Sequence, residues 1–157
     1  MLSLLLRNLL FTILQPGIVG IVIPYLILRG EERRFFPELW TVAHLLGGTM
    51  ILLGASVVLI CILRFATEGR GTLSPLDPTK KLVAHGLYRY SRNPMYVGMM
   101  ILLFGEALFW WSPALFVYGV VVFLSFNLFI ILHEEPRCRR VFGTEYDEYC
   151  ARVRRWV

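Results

Sequence analysis

Four apolar stretches of near-membrane length divide this chain, and they constrain its fold more than any other feature. They run from about Leu2 to Leu28, Leu39 to Leu63, Met95 to Trp111 and Ala114 to Leu132. A helix needs roughly 20 apolar residues to cross the hydrocarbon core of a bilayer. The charged residues gather in blocks between these stretches, whereas a soluble surface would spread them. Hydrophobic residues make up 57% of the 157, and mean hydropathy is +0.62, above the usual apolar fraction of soluble domains. The fold class expected is an all-α integral membrane protein with about four transmembrane helices. One membrane domain over 1–157 divides into two N-terminal membrane helices (1–65), a cytosolic loop (66–93), a helical hairpin (94–133) and a cytosolic C-terminal helical segment (134–157).

The third stretch is short, about 17 residues or roughly 25 Å at 1.5 Å rise per residue. It is expected to turn back through Ser112-Pro113 as one arm of the hairpin. No basic residue precedes the first stretch and no small-residue cleavage site follows it, so it reads as a retained membrane helix rather than a signal peptide.

Loop charge gives the orientation. Arg64, Arg70, Lys80, Lys81, Arg89 and Arg92 lie between the second and third stretches, and Arg137, Arg139, Arg140, Arg152, Arg154 and Arg155 follow the fourth. Arg29, Arg33 and Arg34 on the other side are offset by Glu31, Glu32 and Glu38. The positive-inside rule then places both termini and both basic segments in the cytosol, with a prokaryotic inner membrane as the expected location. The net charge of +5 reads as topological, because basic residues at helix ends meet anionic headgroups; nucleic acid is not an expected partner. Cys61, Cys138 and Cys150 have no metal-ligand spacing, so free thiols and no metal site are expected. No P-loop is present, nor a G-x-G-x-x-G following a strand.

Polar residues at both ends of the hairpin carry the functional signal. His85-Gly86-Leu87-Tyr88-Arg89-Tyr90-Ser91-Arg92-Asn93-Pro94-Met95-Tyr96-Val97-Gly98 runs straight into the third stretch, and His133-Glu134-Glu135-Pro136 closes the fourth. Pro94 suits a helix start, and Asn93 is the expected N-cap. Gly98 and Gly105 share a helix face, either for close helix packing or to leave room for a ligand beside Gly98. Asn127, Ile131 and Glu134 are spaced to share a face; Asn127 either makes a helix–helix hydrogen bond or joins the site. Glu134 and Glu135 read as a pair at a helix C-terminus, where the macrodipole opposes them and favours a functional role. Beyond them, Gly143 is the expected C′ residue of one short helix and Thr144 the cap of the next. There Tyr146, Tyr149 and Val153 share a face, while Arg154, Arg155 and Trp156 read as an interfacial belt.

With Asp77-Pro78 and Phe142-Gly143-Thr144-Glu145-Tyr146-Asp147-Glu148-Tyr149, these motifs resemble the isoprenylcysteine carboxyl methyltransferase family, part of a wider group that includes phospholipid N-methyltransferases. The resemblance covers about residues 72–156. It implies an S-adenosylmethionine-dependent membrane enzyme acting on a lipophilic acceptor that enters from the bilayer lipids. Carried over, the cofactor-binding residues are His85, Gly86, Tyr88, Arg92, Asn93, Pro94, Tyr96, Gly98, Glu134 and Glu135, with Tyr146, Tyr149 and Arg152 closing the pocket. Arg89 and Arg152 are the candidates to hold an acceptor carboxylate, since Arg suits bidentate carboxylate binding; Glu134 gains importance if the acceptor must lose a proton. Many members, notably the eukaryotic prenyl-protein enzymes, have His where this chain has Asn93, and Asn does not titrate near neutrality. The rival readings are a phospholipid amine N-methyltransferase, an NADPH-dependent sterol-type reductase sharing the R-Y-S-R-x-P-x-Y-x-G pattern, and a non-catalytic membrane scaffold.

Overall fold

The computed structural model describes residues 16–31, 37–67, 82 and 84–157, without the side chains of 37–41 and 65–67. Every regular element among the described residues is helical. Helix α1 spans Ile18–Gly30, α2 Pro37–Thr67, α3 Pro94–Phe109, α4 Pro113–Phe129, α5 Glu135–Phe142 and α6 Thr144–Arg152. A 3₁₀ turn over Gly86–Arg89 lies in the segment that leads into α3. Residues 2–15 of the first apolar stretch, Asp77-Pro78 and most of the loop before His85 lie outside the described residues.

Two helical segments, Val42–Arg64 with 23 residues and Pro113–Phe142 with 30, are long and apolar enough to cross a membrane; α1 and α3 are apolar but shorter. At 16 residues, α3 spans about 24 Å at 1.5 Å per residue, as its short apolar stretch implied. The outer faces are greasy. Leu45, Leu52 and Leu59 on α2 are 57–70% exposed, far more apolar surface than water tolerates in a contiguous patch.

The fourth helix does not stop before the two glutamates. It continues from α4 into α5 through a wide π-helical turn over Ile130–Glu134, in which the Glu135 N–H bonds Ile130 O. The cause is Pro136 in the first turn of α5. A proline lacks the N–H for an α-helical bond, and its ring collides with the carbonyl four residues back; widening the preceding turn relieves both conflicts. The same device recurs in α1, where a π turn over Ile18–Val22 is followed by Pro24. Glu134 and Glu135 therefore lie mid-rod and at the start of α5, and the expectation of a carboxylate pair at a helix C-terminus is corrected. The extra residue in the turn also offsets the alignment of Asn127 with Glu134.

Helices α2 and α3 touch backbone to backbone. A Cβ on Gly47 would lie 2.7 Å from Gly105 O, one on Gly54 2.6 Å from Gly98 O, one on Gly98 2.7 Å from Val57 Cγ1, and one on Gly105 2.9 Å from Ile51 N. Four glycines thus form a seam, the use small residues have in membrane helix pairs. The space beside Gly98 is filled by α2, which is the packing reading of Gly98 and Gly105. Leu103, Met99, Met100, Val58 and Val122 form the adjoining core. Helix α1 joins α4 through Tyr118, whose hydroxyl donates to Val19 O at 2.9 Å. At the hairpin turn Ser112 Oγ caps α4 by accepting Leu115 N–H at 3.1 Å.

Candidate active site

The opposite end of the hairpin gathers the polar motifs. Pro94 is buried at the start of α3, so its missing N–H costs nothing there. Two residues further on, the Tyr96 hydroxyl donates to Glu134 Oε1 at 2.7 Å, and its ring packs on Phe126 at 4.5 Å between centroids. This bond closes the mouth of the hairpin across 38 residues of sequence.

Glu135 is engaged differently. Arg155 Nε and Nη2 donate to its two oxygens at 2.7 and 3.0 Å, and Arg92 Nη1 approaches Oε1 at 3.2 Å. Two-pronged guanidinium binding of this kind fixes direction as well as charge. The hydrogen bond that it donates to Glu135 holds the Arg155 guanidinium above its ordinary pKa. Arg92 Nη1 also donates to Cys150 Sγ at 2.8 Å, while Arg92 Nε is buried without a hydrogen-bond partner among the described residues. A buried orphan donor is costly and leaves Arg92 with a hydrogen bond still to give.

The segment 153–157 folds back over this mouth as a strap. Arg154 O accepts the Arg92 N–H at 2.9 Å, and Arg155 O accepts from Asn93 Nδ2 at 3.0 Å and Ser91 Oγ at 3.3 Å. The Trp156 indole donates to Asn127 Oδ1 at 3.1 Å and its ring lies 5.0 Å from that of Phe123. Arg155 and Trp156, expected as part of an interfacial belt, are thus structural partners of the site as well. Asn93 occupies the N-cap position, but its side chain makes no cap bond; its Nδ2 donates to the strap instead. Thr144 is likewise not a cap: the cap position belongs to Gly143, whose φ of 55° ends α5 as expected and whose carbonyl accepts Tyr146 N–H at 3.2 Å.

Behind the strap, Tyr146, Tyr149 and Val153 form a buried cluster, as their shared face implied. The Tyr149 hydroxyl donates to Tyr88 O at 2.6 Å, tying α6 to the 3₁₀ turn. Burial pushes the Tyr149 phenol up to about 12. Burial first, and the hydrogen-bonded Cys61 thiol after it, raise Tyr88 further still; Tyr146 is raised mainly by burial. All three remain neutral hydrogen-bonding groups. Gly86 has φ +62°, and the Arg64 guanidinium fills the place of its missing side chain, with Cζ 2.6 Å from where a Cβ would stand.

The fold therefore brings Tyr88, Arg92, Asn93, Pro94, Tyr96, Glu134, Glu135 and Tyr149 to one end of the hairpin. It does not bring every candidate into that network. His85 and Arg89 are exposed. Arg152 is exposed too, with its Nε donating to Glu148 O of its own helix at 3.3 Å. Sequence reasoning missed Arg155, Trp156, Cys150 and Ser91 as partners. Asn127 in an apolar run did signal a need for a partner, but nothing in the sequence named Trp156. Among the described residues no group of His, Cys, Asp and Glu could hold a metal ion.

Comparison with known proteins gives the family. The phospholipid methyltransferase family model matches residues 42–145, two thirds of the chain, including the glycine seam, the hairpin and the glutamate pair. The chain belongs to the phospholipid methyltransferase family. It is 31% identical over 129 residues to a probable protein-S-isoprenylcysteine O-methyltransferase of Oryza sativa subsp. indica, covering 78% of this chain and 65% of that protein. It is 32% identical over 129 residues to protein-S-isoprenylcysteine O-methyltransferase B of Arabidopsis thaliana, covering 78% and 64%. A shorter match, 34% over 68 residues, covers 43% of the chain and 7% of a phosphatidylethanolamine N-methyltransferase of Pyricularia oryzae. The chain thus spans about 65% of the length of the first curated relatives it matches. No solved structure matches it.

Proposed function

We propose that this chain is an S-adenosylmethionine-dependent integral-membrane methyltransferase that methylates a lipophilic acceptor at the cytosolic face of the membrane. The observation that carries the reading is the Tyr96–Glu134 hydrogen bond beside the Arg92–Glu135–Arg155 cluster, which joins the two polar motifs at one level. Family membership supports methyl transfer over the reductase reading. The greasy outer faces of α2 and α4 support a membrane-embedded chain, and the basic residues after α2 and α4 favour a cytosolic mouth.

The residues present fit the cofactor's chemistry. The orphaned Arg92 Nε suits its carboxylate, and the Glu134 carboxylate and Tyr96 hydroxyl suit its hydroxyl or cationic groups. When bound, S-adenosylmethionine supplies a methyl group on a sulfonium, open to in-line displacement. The protein's part is to hold the two reactants in line and exclude water. Arg89 and Arg152, both exposed, are the cations suited to an incoming acceptor carboxylate. The relatives matched over most of the chain are named O-methyltransferases, which favours a carboxylate of the isoprenylcysteine type. The shorter match to an N-methyltransferase keeps a phospholipid amine as the second reading.

Calorimetric titration in detergent tests the cofactor. S-adenosylhomocysteine should bind and NADPH should not, and Tyr96→Ala should weaken binding while the protein still purifies folded. Binding of NADPH alone would refute the reading. A homologous series of acceptors tests the lipid route. Each buried CH₂ contributes about 0.8 kcal/mol, so a tail four carbons shorter should lose roughly 3 kcal/mol, more than a hundredfold in apparent affinity. Equal turnover of short and long acceptors at matched low concentration would rule out lateral entry.

A further inference from the structure

We propose that the strap is a positioning element of the site: Arg155 and Trp156 hold the wide turn that carries Glu134 at both of its ends, and so fix Glu134 against Tyr96. The inference rests on the methyltransferase reading for its functional consequence, but its structural part stands independently.

The π turn over Ile130–Glu134 is the weak point of the α4–α5 rod. Its bonds span five residues instead of four, and such single turns are uncommon and concentrate at functional sites. Glu134 is the last residue of this turn, so any change in its pitch or direction moves the carboxylate relative to Tyr96. One anchor lies just before the turn, where Trp156 Nε1 donates to Asn127 Oδ1 at 3.1 Å. A second lies just after it, where the Arg155 fork takes both oxygens of Glu135. Arg155 and Trp156 are adjacent, so both ends of the turn are tied to one short piece of backbone.

That backbone is itself tied to the other wall. The carbonyls of Arg154 and Arg155 accept from Arg92 N, Asn93 Nδ2 and Ser91 Oγ, the residues immediately before α3. Tyr96 stands one turn beyond them. The strap is therefore a caliper with one jaw on the start of α3 and the other on both flanks of the π turn. The 2.7 Å Tyr96–Glu134 bond lies between the jaws. Arg155 and Trp156 are positioning residues: they act through Glu134 and need not touch the cofactor or the acceptor.

The test uses the full chain in detergent, with S-adenosylhomocysteine as the probe. Trp156→Phe keeps a ring against Phe123 but loses the indole N–H; Arg155→Lys keeps a cation but loses the fork. Amide exchange should rise in 91–97 and 126–136 in both variants, while the α2–α3 seam keeps its protection. Affinity for S-adenosylhomocysteine should fall about fivefold in Trp156→Phe, the scale of one hydrogen bond. The same substitution in a Glu134→Gln background should cost less than about twofold, because residues acting as one unit are not additive. Equal losses in the two backgrounds, or unchanged exchange around the π turn, would overturn the proposal. If the wild-type chain does not bind S-adenosylhomocysteine, the methyltransferase reading fails, and the exchange measurement alone decides whether the strap holds the turn.

Discussion

The two faces of α3 are held in opposite ways. Toward α2, contact is made by the absence of side chains: Gly47, Gly54, Gly98 and Gly105 let backbone meet backbone. At its start, toward α5 and the strap, contact is made by polar groups, with Arg92, Glu135 and Arg155 joined and Tyr96 bonded to Glu134. The difference follows from the surroundings. Between apolar spans lipid competes well with any hydrophobic contact, so close van der Waals approach is what remains to hold helices together. At the mouth, charged groups can be oriented, and orientation is what a binding site requires. The seam sets where α3 stands, and the mouth sets what it presents.

Breaking the seam should have the largest effect. Gly54→Ala places a Cβ 2.5 Å from Leu102 N, against backbone that cannot rotate away. Overpacking usually costs up to about 3 kcal/mol, and this contact belongs at the upper end. Thermal unfolding in detergent should show a drop of that order, with cofactor binding lost alongside folding. Survival of Gly54→Ala with wild-type stability would mean that the helices are farther apart than described.

Breaking the mouth should separate function from stability. Glu135→Ala leaves Arg92 and Arg155 facing each other without their shared anion. The cost is expected to be about 2 kcal/mol in stability, since removing one partner of a largely buried ion pair strands the other. S-adenosylhomocysteine affinity should fall by more than tenfold. Tyr96→Phe is a finer cut, removing one hydroxyl from Glu134 for about 1 kcal/mol, or roughly fivefold in affinity, with the melting temperature lowered by only about 4 °C. A melting temperature that falls as far as for Gly54→Ala would erase the distinction between seam and mouth.

Two substitutions away from both regions sharpen the comparison. Glu106 lies toward the hairpin turn, with Oε2 buried and without a hydrogen-bond partner among the described residues. Glu106→Gln should leave methyl transfer within a few-fold of wild type, whereas lost turnover with intact cofactor binding would place it in the acceptor channel. Arg139 and Asp147 form an exposed pair at 3.2 Å. Arg139→Ala should change stability by less than about 0.5 kcal/mol, as exposed pairs contribute little.

Local features were legible in the sequence because their causes are local. Apolar length announced α2 and the α3–α4 hairpin, Pro94 announced the start of its first arm, and Gly143 announced the break between α5 and α6. The ordered motifs announced the family, and the chemistry of Tyr96, Arg92 and the glutamate pair announced the end of the hairpin where a site would form. Other features needed the folded chain. Pro136 looked like a stop and proved to be the cause of a wide turn, because neighbouring contacts allow a rod to continue where an isolated helix would end. Asn93 looked like a cap and became an anchor, its Nδ2 donating to the carbonyl of Arg155. Arg155 and Trp156 looked like a membrane belt because basic and aromatic residues suit that environment. Their partners, Glu135 and Asn127, lie 20 and 29 residues away. Periodicity shows which residues share a face, but only tertiary closure decides which faces meet.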